Sequence, residues 1–247
     1  MFMLKIDNLC VKVDDRDILN NFNILINDGE VHAIMGPNGT GKSTVSKVIM
    51  GSPDYDILSG SIFFNSEDIT NLEVDERSRR GIFLSMQNPI SIEGVSNSEF
   101  LRTALNARND EAIRLFDFIK TIESNIKDLD IKNDIIHKSI NDGSSGGERK
   151  KNEVLQMKVL KPSFVILDEV DSGLDVDSLR IVSENINKYK LENPNTSILI
   201  ITHYPRILEY IEPDYVHMMV GGKIVKTGDK NLAFEIEKTG YNEVVSE

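Results

Sequence analysis

Two textures alternate along the chain. From Leu4 to Val13 apolar and polar residues alternate, as in a half-buried strand, and Phe22 to Ile26 repeats the pattern briefly. Val31-His32-Ala33-Ile34-Met35 is instead a near-continuous apolar run ending in glycines, and Gly41 to Met50 reads as a helix. Ser61-Ile62-Phe63-Phe64 and Gly81-Ile82-Phe83-Leu84 are further strand candidates. Between Ser96 and Asn133 the spacing turns helical, at Phe100, Leu101 and Leu105 and then at Ile113, Phe116, Ile119 and Ile122. Strand runs return at Phe164–Leu167 and Ser197–Ile201, separated by a helix over Val176–Lys190. Tyr215–Val220 and Lys223–Lys226 meet at Gly221-Gly222, a hairpin turn. Strands alternating with helices at both ends predict one α/β domain over 1–247. Its core, 1–90 and 160–247, carries a mainly parallel sheet, and about 91–159 forms a helical subdomain.

Composition narrows the function classes. The 247 residues are 40% hydrophobic and 28% charged, the balance of a globular chain. No apolar run reaches the 18 or so residues that span a bilayer, so direct membrane insertion is not expected. The opening MFMLKIDNLCVKV lacks a basic segment followed by a long apolar stretch, so no secretory signal is expected. With 28 Lys+Arg against 40 Asp+Glu the net charge is −12. That balance argues against sequence-independent nucleic-acid binding, which needs clustered cations, but leaves room for one small polyanion in a local site. The single cysteine, Cys10, excludes an internal disulfide and a Cys-only metal site, and fits a reducing compartment. A cytoplasmic location is expected.

The polyanion site is written in Gly36-Pro37-Asn38-Gly39-Thr40-Gly41-Lys42-Ser43, a full G-x-x-x-x-G-K-S with Thr44 following. Glycines let backbone N–H groups turn inward around phosphate oxygens, and the following helix aims its N-terminal dipole at the anion. Lys42 would reach the β- and γ-phosphates, and the Ser43 hydroxyl would ligate Mg²⁺. A second element, Phe164-Val165-Ile166-Leu167-Asp168-Glu169, ends an apolar strand in two carboxylates. Buried parallel strands deliver such residues to the crevice where open α/β sheets bind ligands. Asp168 would hold Mg²⁺ directly or through water, and Glu169 would orient and polarise the attacking water.

Between these motifs, Ser144-Ser145-Gly146-Gly147-Glu148 with Arg149-Lys150-Lys151 resembles the LSGGQ signature loop of ATP-binding-cassette (ABC) ATPases, with Ser144 for Leu and Glu148 for Gln. Other landmarks of that family match in order. Gln87 resembles the glutamine that senses Mg²⁺ and γ-phosphate, Ser172-Gly173-Leu174-Asp175 the D-loop, and His203 the switch histidine. The resemblance implies a P-loop parallel-sheet core with an antiparallel β subdomain and a helical subdomain, ATP and Mg²⁺ as ligands, and a head-to-tail dimer. Each ATP would lie between one copy's phosphate loop and the partner's Ser145, Gly146 and Gly147, which begin a helix and so offer N–H groups to an anion. One departure is Val13, where such proteins often stack adenine on an aromatic ring. Apolar packing would replace stacking worth ~0.5–1.5 kcal/mol.

Several longer stretches are similar to one branch of the family, the ATPase subunits of the SUF iron–sulfur cluster assembly system. They include Glu30–Gly39, Gly94-Val95-Ser96 with Ala104–Ala107, Asp168–Asp175, Thr202-His203-Tyr204, Tyr210–His217 and Gly240-Tyr241. This similarity runs over essentially the whole chain. It implies SufB- and SufD-like scaffold partners that meet Gln87–Phe100, especially Pro89, Ile90, Ile92 and Val95. It also implies a bacterial cytosol as the location, with a plastid stroma as the alternative. The rivals are a transporter ATPase docked on permease helices, and a nucleotide-gated binding protein, against which Glu169 speaks. Arg149-Lys150-Lys151 reads as a solvated helix face, or as the source of a lysine that pairs with Glu169 or Asp171 and restrains hydrolysis. His32, His137 and His217 read as core or surface residues, since no His/Asp/Glu set has metal-ligand spacing.

Overall fold

The contiguous apolar runs are buried parallel strands, and the alternating runs build a separate antiparallel sheet. The structure, a computed structural model, describes residues 2–109 and 111–241. The chain opens with strands β1 (Phe2–Val13), β2 (Arg16–Asn27) and β3 (Val31–Met35), then helix α1 (Lys42–Met50). Next come β4 (Asp56–Phe64), β5 (Glu67–Asp68), α2 (Val74–Arg79), β6 (Ile82–Ser85) and β7 (Ile92–Ser96). Helices α3 (Asn97–Arg108) and α4 (Leu115–Asp128), the short β8 (Ser139–Ile140) and α5 (Gly146–Leu160) follow. The chain then alternates β9 (Phe164–Asp168), α6 (Val176–Glu192), β10 (Ser197–Ile201) and α7 (Arg206–Tyr210). It closes with β11 (Tyr215–Val220), β12 (Lys223–Gly228) and α8 (Lys230–Thr239).

These elements group into two compact units, one of 1–84, 163–169 and 194–247, the other of 85–162 and 170–193. The first unit carries a sheet in the order β12-β11-β3-β10-β9-β6. Here β3 runs parallel to β10 and β11, and β10 parallel to β9, while β11 and β12 pair as an antiparallel hairpin. Every residue of β3, β9 and β10 is buried, which is why these strands read as unbroken apolar runs. A second sheet, β2-β1-β4-β5, is antiparallel where β1 meets β2 and β4, and its alternating burial matches the alternating sequence. The β1–β2 turn is made by Asp14 and Asp15, both at positive φ (45° and 62°), the backbone of a two-residue hairpin. Aspartate tolerates that region, so β2 starts at Arg16 and not at Phe22 as the periodicity suggested.

The second unit is not purely helical. Inside the expected helical segment, β7 and β8 pair as a two-stranded antiparallel ribbon through Ile92↔Ile140 and Ser96↔Ser139. The helix over Val176–Lys190, expected with the core, is α6 and groups here because its Asn185 meets α5. Lys158 donates to Asn185 Oδ1 (2.7 Å) and to Asp128 of α4 (3.0 Å).

Strand β3 is held from the side by a relay of buried polar groups. His32 Nε2 lies 3.0 Å from Glu30 Oε2, His32 Nδ1 lies 2.8 Å from His217 Nε2, and His217 Nδ1 lies 2.9 Å from the Thr227 hydroxyl. With both rings neutral one assignment satisfies every bond: His32 donates to Glu30, His217 to His32, and Thr227 to His217. The chain of bonds crosses β3, β11 and β12. Burial, followed by the neighbouring His32, pushes His217 down to about 3, and burial lowers His32 as well. The unfolded chain therefore takes up protons below pH ~6.5 that the folded chain refuses, so stability falls on acidification between ~6.5 and 3. We expect a His217→Gln variant to lose less stability than the parent between pH 7 and 5 in urea titrations. The difference should approach about 1.4 kcal/mol per pH unit below 6.5; equal pH slopes would remove the neutral-relay assignment.

Candidate nucleotide site

The carboxyl ends of β3, β9 and β10 lie side by side in the sheet, and the sequence-predicted residues of the first unit converge there. Residues 36–41 leave β3 and deliver the chain into α1. Gly36 is required by space, since a Cβ there would meet Met219 O at 2.3 Å. Gly41 is required by conformation, capping α1 at φ 95°. Helix α1 therefore begins at Lys42, one residue later than the pattern suggested. Thr40 closes the loop by donating to Pro37 O (2.9 Å), while Asn38 and Gly39 are exposed and Thr44 is buried. Lys42 is 5% exposed, and its ammonium donates to Gly36 O (2.7 Å) and Pro37 O (2.9 Å). Burial lowers its pKa from the ordinary lysine value, and Glu169 and then Asp168 oppose the fall.

Asp168 ends β9, buried, with its two oxygens engaged by α1. Ser43 donates to Oδ1 (3.3 Å) and Ser46 to Oδ2 (2.7 Å). Ser46 went unnoticed in the sequence, although its place three residues after Ser43 puts both hydroxyls on one helix face. A hydroxyl and a carboxylate brought together this way are hard oxygen donors, the kind Mg²⁺ takes, so the residues fit that ion. Glu169 follows at φ 47°, with its N–H bonded to Ile201 O of β10 (2.8 Å). Most other described non-glycine residues at positive φ are Asn or Asp, including Asn8, Asn21, Asn65 and Asn141. A glutamate there is a strained exception. His203, after β10, brings Nδ1 to 3.3 Å from Glu169 Oε1, without the alignment of a hydrogen bond. Its ring packs on Tyr204 at 3.9 Å between centroids.

Gln87, Ser145, Gly146, Gly147 and Asp175 belong to the second unit. Ser145 caps α5, accepting Glu148 N–H (3.3 Å), and Glu148 Oε2 accepts the Ser145 N–H (2.9 Å) and hydroxyl (2.8 Å). This capping box gives Glu148 a local task where the family motif has Gln. The Ser145 backbone bond holds the Glu148 carboxyl below its usual range. Asp175 caps α6 by accepting Ser178 N–H (2.7 Å), a bond that lowers its pKa too. Ser145–Glu148 and Asp175 line one cleft of about 680 Å³, shared with Lys132, Lys138 and Lys151. Gln87 is exposed on the segment after β6.

Lys150 departs from the solvated-face expectation for the basic triplet. It is 2% exposed, and its ammonium is held by Met86 O (2.5 Å) and Glu153 (3.5 Å). Of the other histidines, His137 is exposed and the buried pair is bonded as described. Among the described residues no group of three or more His, Cys, Asp or Glu could hold a metal ion. No described helix is long and apolar enough to cross a membrane.

Comparison with known proteins shows the family and the fold. The model of the ABC transporter family matches residues 19–172. A probable ATP-dependent transporter of Synechocystis sp. is 50% identical over 97% of this chain and 94% of its own. Vegetative protein 296 of Bacillus subtilis is 47% identical over 99% of this chain and 94% of its own. In fold, the chain resembles a dimeric ATP-binding cassette solved with ADP and Pi (TM-score 0.79, 19% identity, covering 92% of this chain and 99% of that one).

Removing the Ser46 hydroxyl leaves Asp168 Oδ2 without that donor but leaves the phosphate loop intact. We expect Ser46→Ala to raise the half-saturating Mg²⁺ concentration for turnover on the order of 10-fold. Nucleotide binding without Mg²⁺ should stay near the parent value. An unchanged Mg²⁺ titration would show that Ser46 does not orient Asp168.

Proposed function

We propose, on the premise that this chain belongs to the ABC transporter family and hydrolyses ATP with Mg²⁺, that it is a SufC-type motor subunit. Two copies would close head to tail on ATP and pull on a scaffold of SufB and SufD type during iron–sulfur cluster assembly. The observation that carries the catalytic part is the grouping of Lys42, Ser43, Asp168, Glu169 and His203 at the carboxyl ends of three adjacent strands.

In this reading Lys42 exchanges the carbonyls of Gly36 and Pro37 for phosphate oxygens, and backbone N–H groups of residues 39–44 surround the β-phosphate. Mg²⁺, when bound, neutralises charge on the phosphate oxygens, and Ser43 and Asp168 are its ligands from the first unit. Glu169 orients a water toward the γ-phosphorus and accepts its proton as the bond to the leaving ADP oxygen breaks. His203 contacts the γ-phosphate from the strand beside Glu169. Gln87 contributes to the Mg²⁺ and γ-phosphate contacts, and Ser145, Gly146, Gly147 and Asp175 meet the partner copy's nucleotide.

The scaffold assignment rests on the whole-chain similarity to the SUF branch. Gln87–Phe100 would be the docking segment, and it presents Ile90 at 57% exposure, with Ile92 and Val95 half-buried on β7. Cys10 fits a supporting role: it is half-buried in β1, its sulfur accepting Asn21 N–H (3.3 Å), and one thiol cannot hold a cluster through several thiolates. The second reading, an ATPase that docks on a membrane permease, takes its weight from relatives named as probable transporters.

Two measurements test these readings. Glu169→Gln should retain ATP and lose turnover by at least about 10³-fold; hydrolysis at the parent rate would remove Glu169 from its role. Affinity capture of the tagged chain from its host should bring down soluble SufB- and SufD-like proteins, and Ile90→Glu should reduce that capture without changing ATP binding. Recovery of a membrane permease in their place would establish the transporter reading.

A further inference from the structure

We infer that Lys150 and Glu153, a buried ion pair on the helix behind the signature loop, position Gln87 by gripping the peptide group just before it. The inference rests on the reading of Gln87 given above.

Met86 precedes Gln87, and both polar atoms of its backbone are taken by charged side chains of α5. Its N–H donates to Glu153 Oε1 (2.8 Å), and its carbonyl accepts from Lys150 Nζ (2.5 Å). Ser85 donates its hydroxyl to the other Glu153 oxygen (2.8 Å). The two charges lie 3.5 Å apart, with side chains only 3% and 5% exposed. Taking two charges out of water costs several kcal/mol per ion, and apolar residues of similar volume often serve stability as well or better. What an apolar pair cannot do is bind a peptide N–H and a peptide carbonyl at once. The hydrogen bonds therefore point to placement of residues 85–86 as what the pair provides.

The same helix holds the segment again beyond Gln87. Asn152 Nδ2 donates to Asn97 Oδ1 (2.8 Å) and to Asn141 Oδ1 (3.0 Å), and Asn141 donates to Ile90 O (2.9 Å). All three asparagines are at most 3% exposed. Residues 86, 90 and 97 are thus tied directly or through one side chain to α5, on both sides of exposed Gln87. Lys150 sits one helical turn after Gly146, at the start of the same α5 that Ser145 caps. A displacement of the signature loop that carries α5 with it carries the backbone of Gln87. The pair links the two nucleotide contacts of this unit, one expected to serve the chain's own ATP and one its partner's.

The test is a mutant cycle on the full chain, read by steady-state ATPase and Mg²⁺ titration. The double variant Lys150→Met/Glu153→Leu keeps volume and removes both charges. It should bind ATP without Mg²⁺ as the parent does, lower kcat on the order of 10- to 100-fold and raise the half-saturating Mg²⁺ concentration. Gln87→Ala should produce a similar loss, and combining the two should add little more, because the pair acts through Gln87. Lys150→Arg, which keeps charge and donors, should recover most of the activity. If circular dichroism shows the double variant unfolded, Glu153→Gln in the same cycle takes its place. Fully multiplicative losses, or unchanged kcat and Mg²⁺ dependence in a folded variant, would overturn the positioning role alone. A Gln87→Ala variant with parental kcat and Mg²⁺ dependence would instead remove the reading of Gln87 and the inference with it.

Discussion

Both oxygens of the Asp168 carboxylate are taken by one helix, Ser43 on one and Ser46 on the other. A carboxylate that is 3% exposed is tolerable only where hydrogen bonds and a nearby cation compensate its lost hydration. Those requirements fix much of the site. They set α1 against the end of β9, which places residues 36–41 over the strand ends and keeps Lys42 within electrostatic reach of Asp168 and Glu169. They also fix where the chain must turn. Directly after Asp168 the backbone enters the left-handed region at Glu169, a conformation costing about 1–2 kcal/mol for a residue with a Cβ. The bond from Glu169 N–H to Ile201 O and the β9–β10 ladder before it hold that turn in place. The strain falls on the residue proposed to orient water.

What the sequence disclosed follows from how local each feature is. Phosphate-loop glycines are legible because a positive φ or a close backbone approach demands them residue by residue, as at Gly41 and Gly36. Strands β3, β9 and β10 are legible because burial on both faces forces continuous apolar residues. The β1–β2 turn was missed because Asp14-Asp15 does the work usually given to Asn-Gly, and the pair carries no glycine to mark it. The β7–β8 ribbon joins residues some 45 apart, a pairing that no window of local periodicity can contain. Lys150 was misread for a related reason. A basic triplet at a helix start is normally solvated, and nothing within four residues except Glu153 announces that the second lysine turns inward to a backbone carbonyl.

Glu148 shows how a departure from a family motif can be physically consistent. Its carboxylate closes a capping box with Ser145, a task that the family's Gln can also perform through its amide oxygen. The same carboxylate brings negative charge to a helix end where the head-to-tail arrangement would place a phosphate. Lys132 and Lys138 stand in the same cleft and help to hold the Glu148 carboxyl ionised. The local field at the signature loop is therefore the sum of a helix end, the acids Asp130, Asp134, Asp142, Glu148 and Asp175, and the lysines Lys132, Lys138 and Lys151, and the helix dipole is only one of these contributions.

The same arithmetic resolves the tension between a net charge of −12 and a polyanionic substrate. At physiological ionic strength, exposed charges more than about 8 Å apart are largely screened, so the total says little about any one site. In the proposed site a phosphate would meet the end of α1 and one ammonium that burial has already stripped of most of its water. Lys42 keeps two carbonyls as partners in the meantime, so it is neither desolvated without compensation nor free to pair with solvent anions. In the proposed mechanism, binding would exchange those neutral carbonyls for charged oxygens, a gain that grows as the local dielectric falls. In that mechanism, selectivity for a nucleotide phosphate over small anions would follow from the number of donors the loop aims at once, since the single lysine would favour any of them.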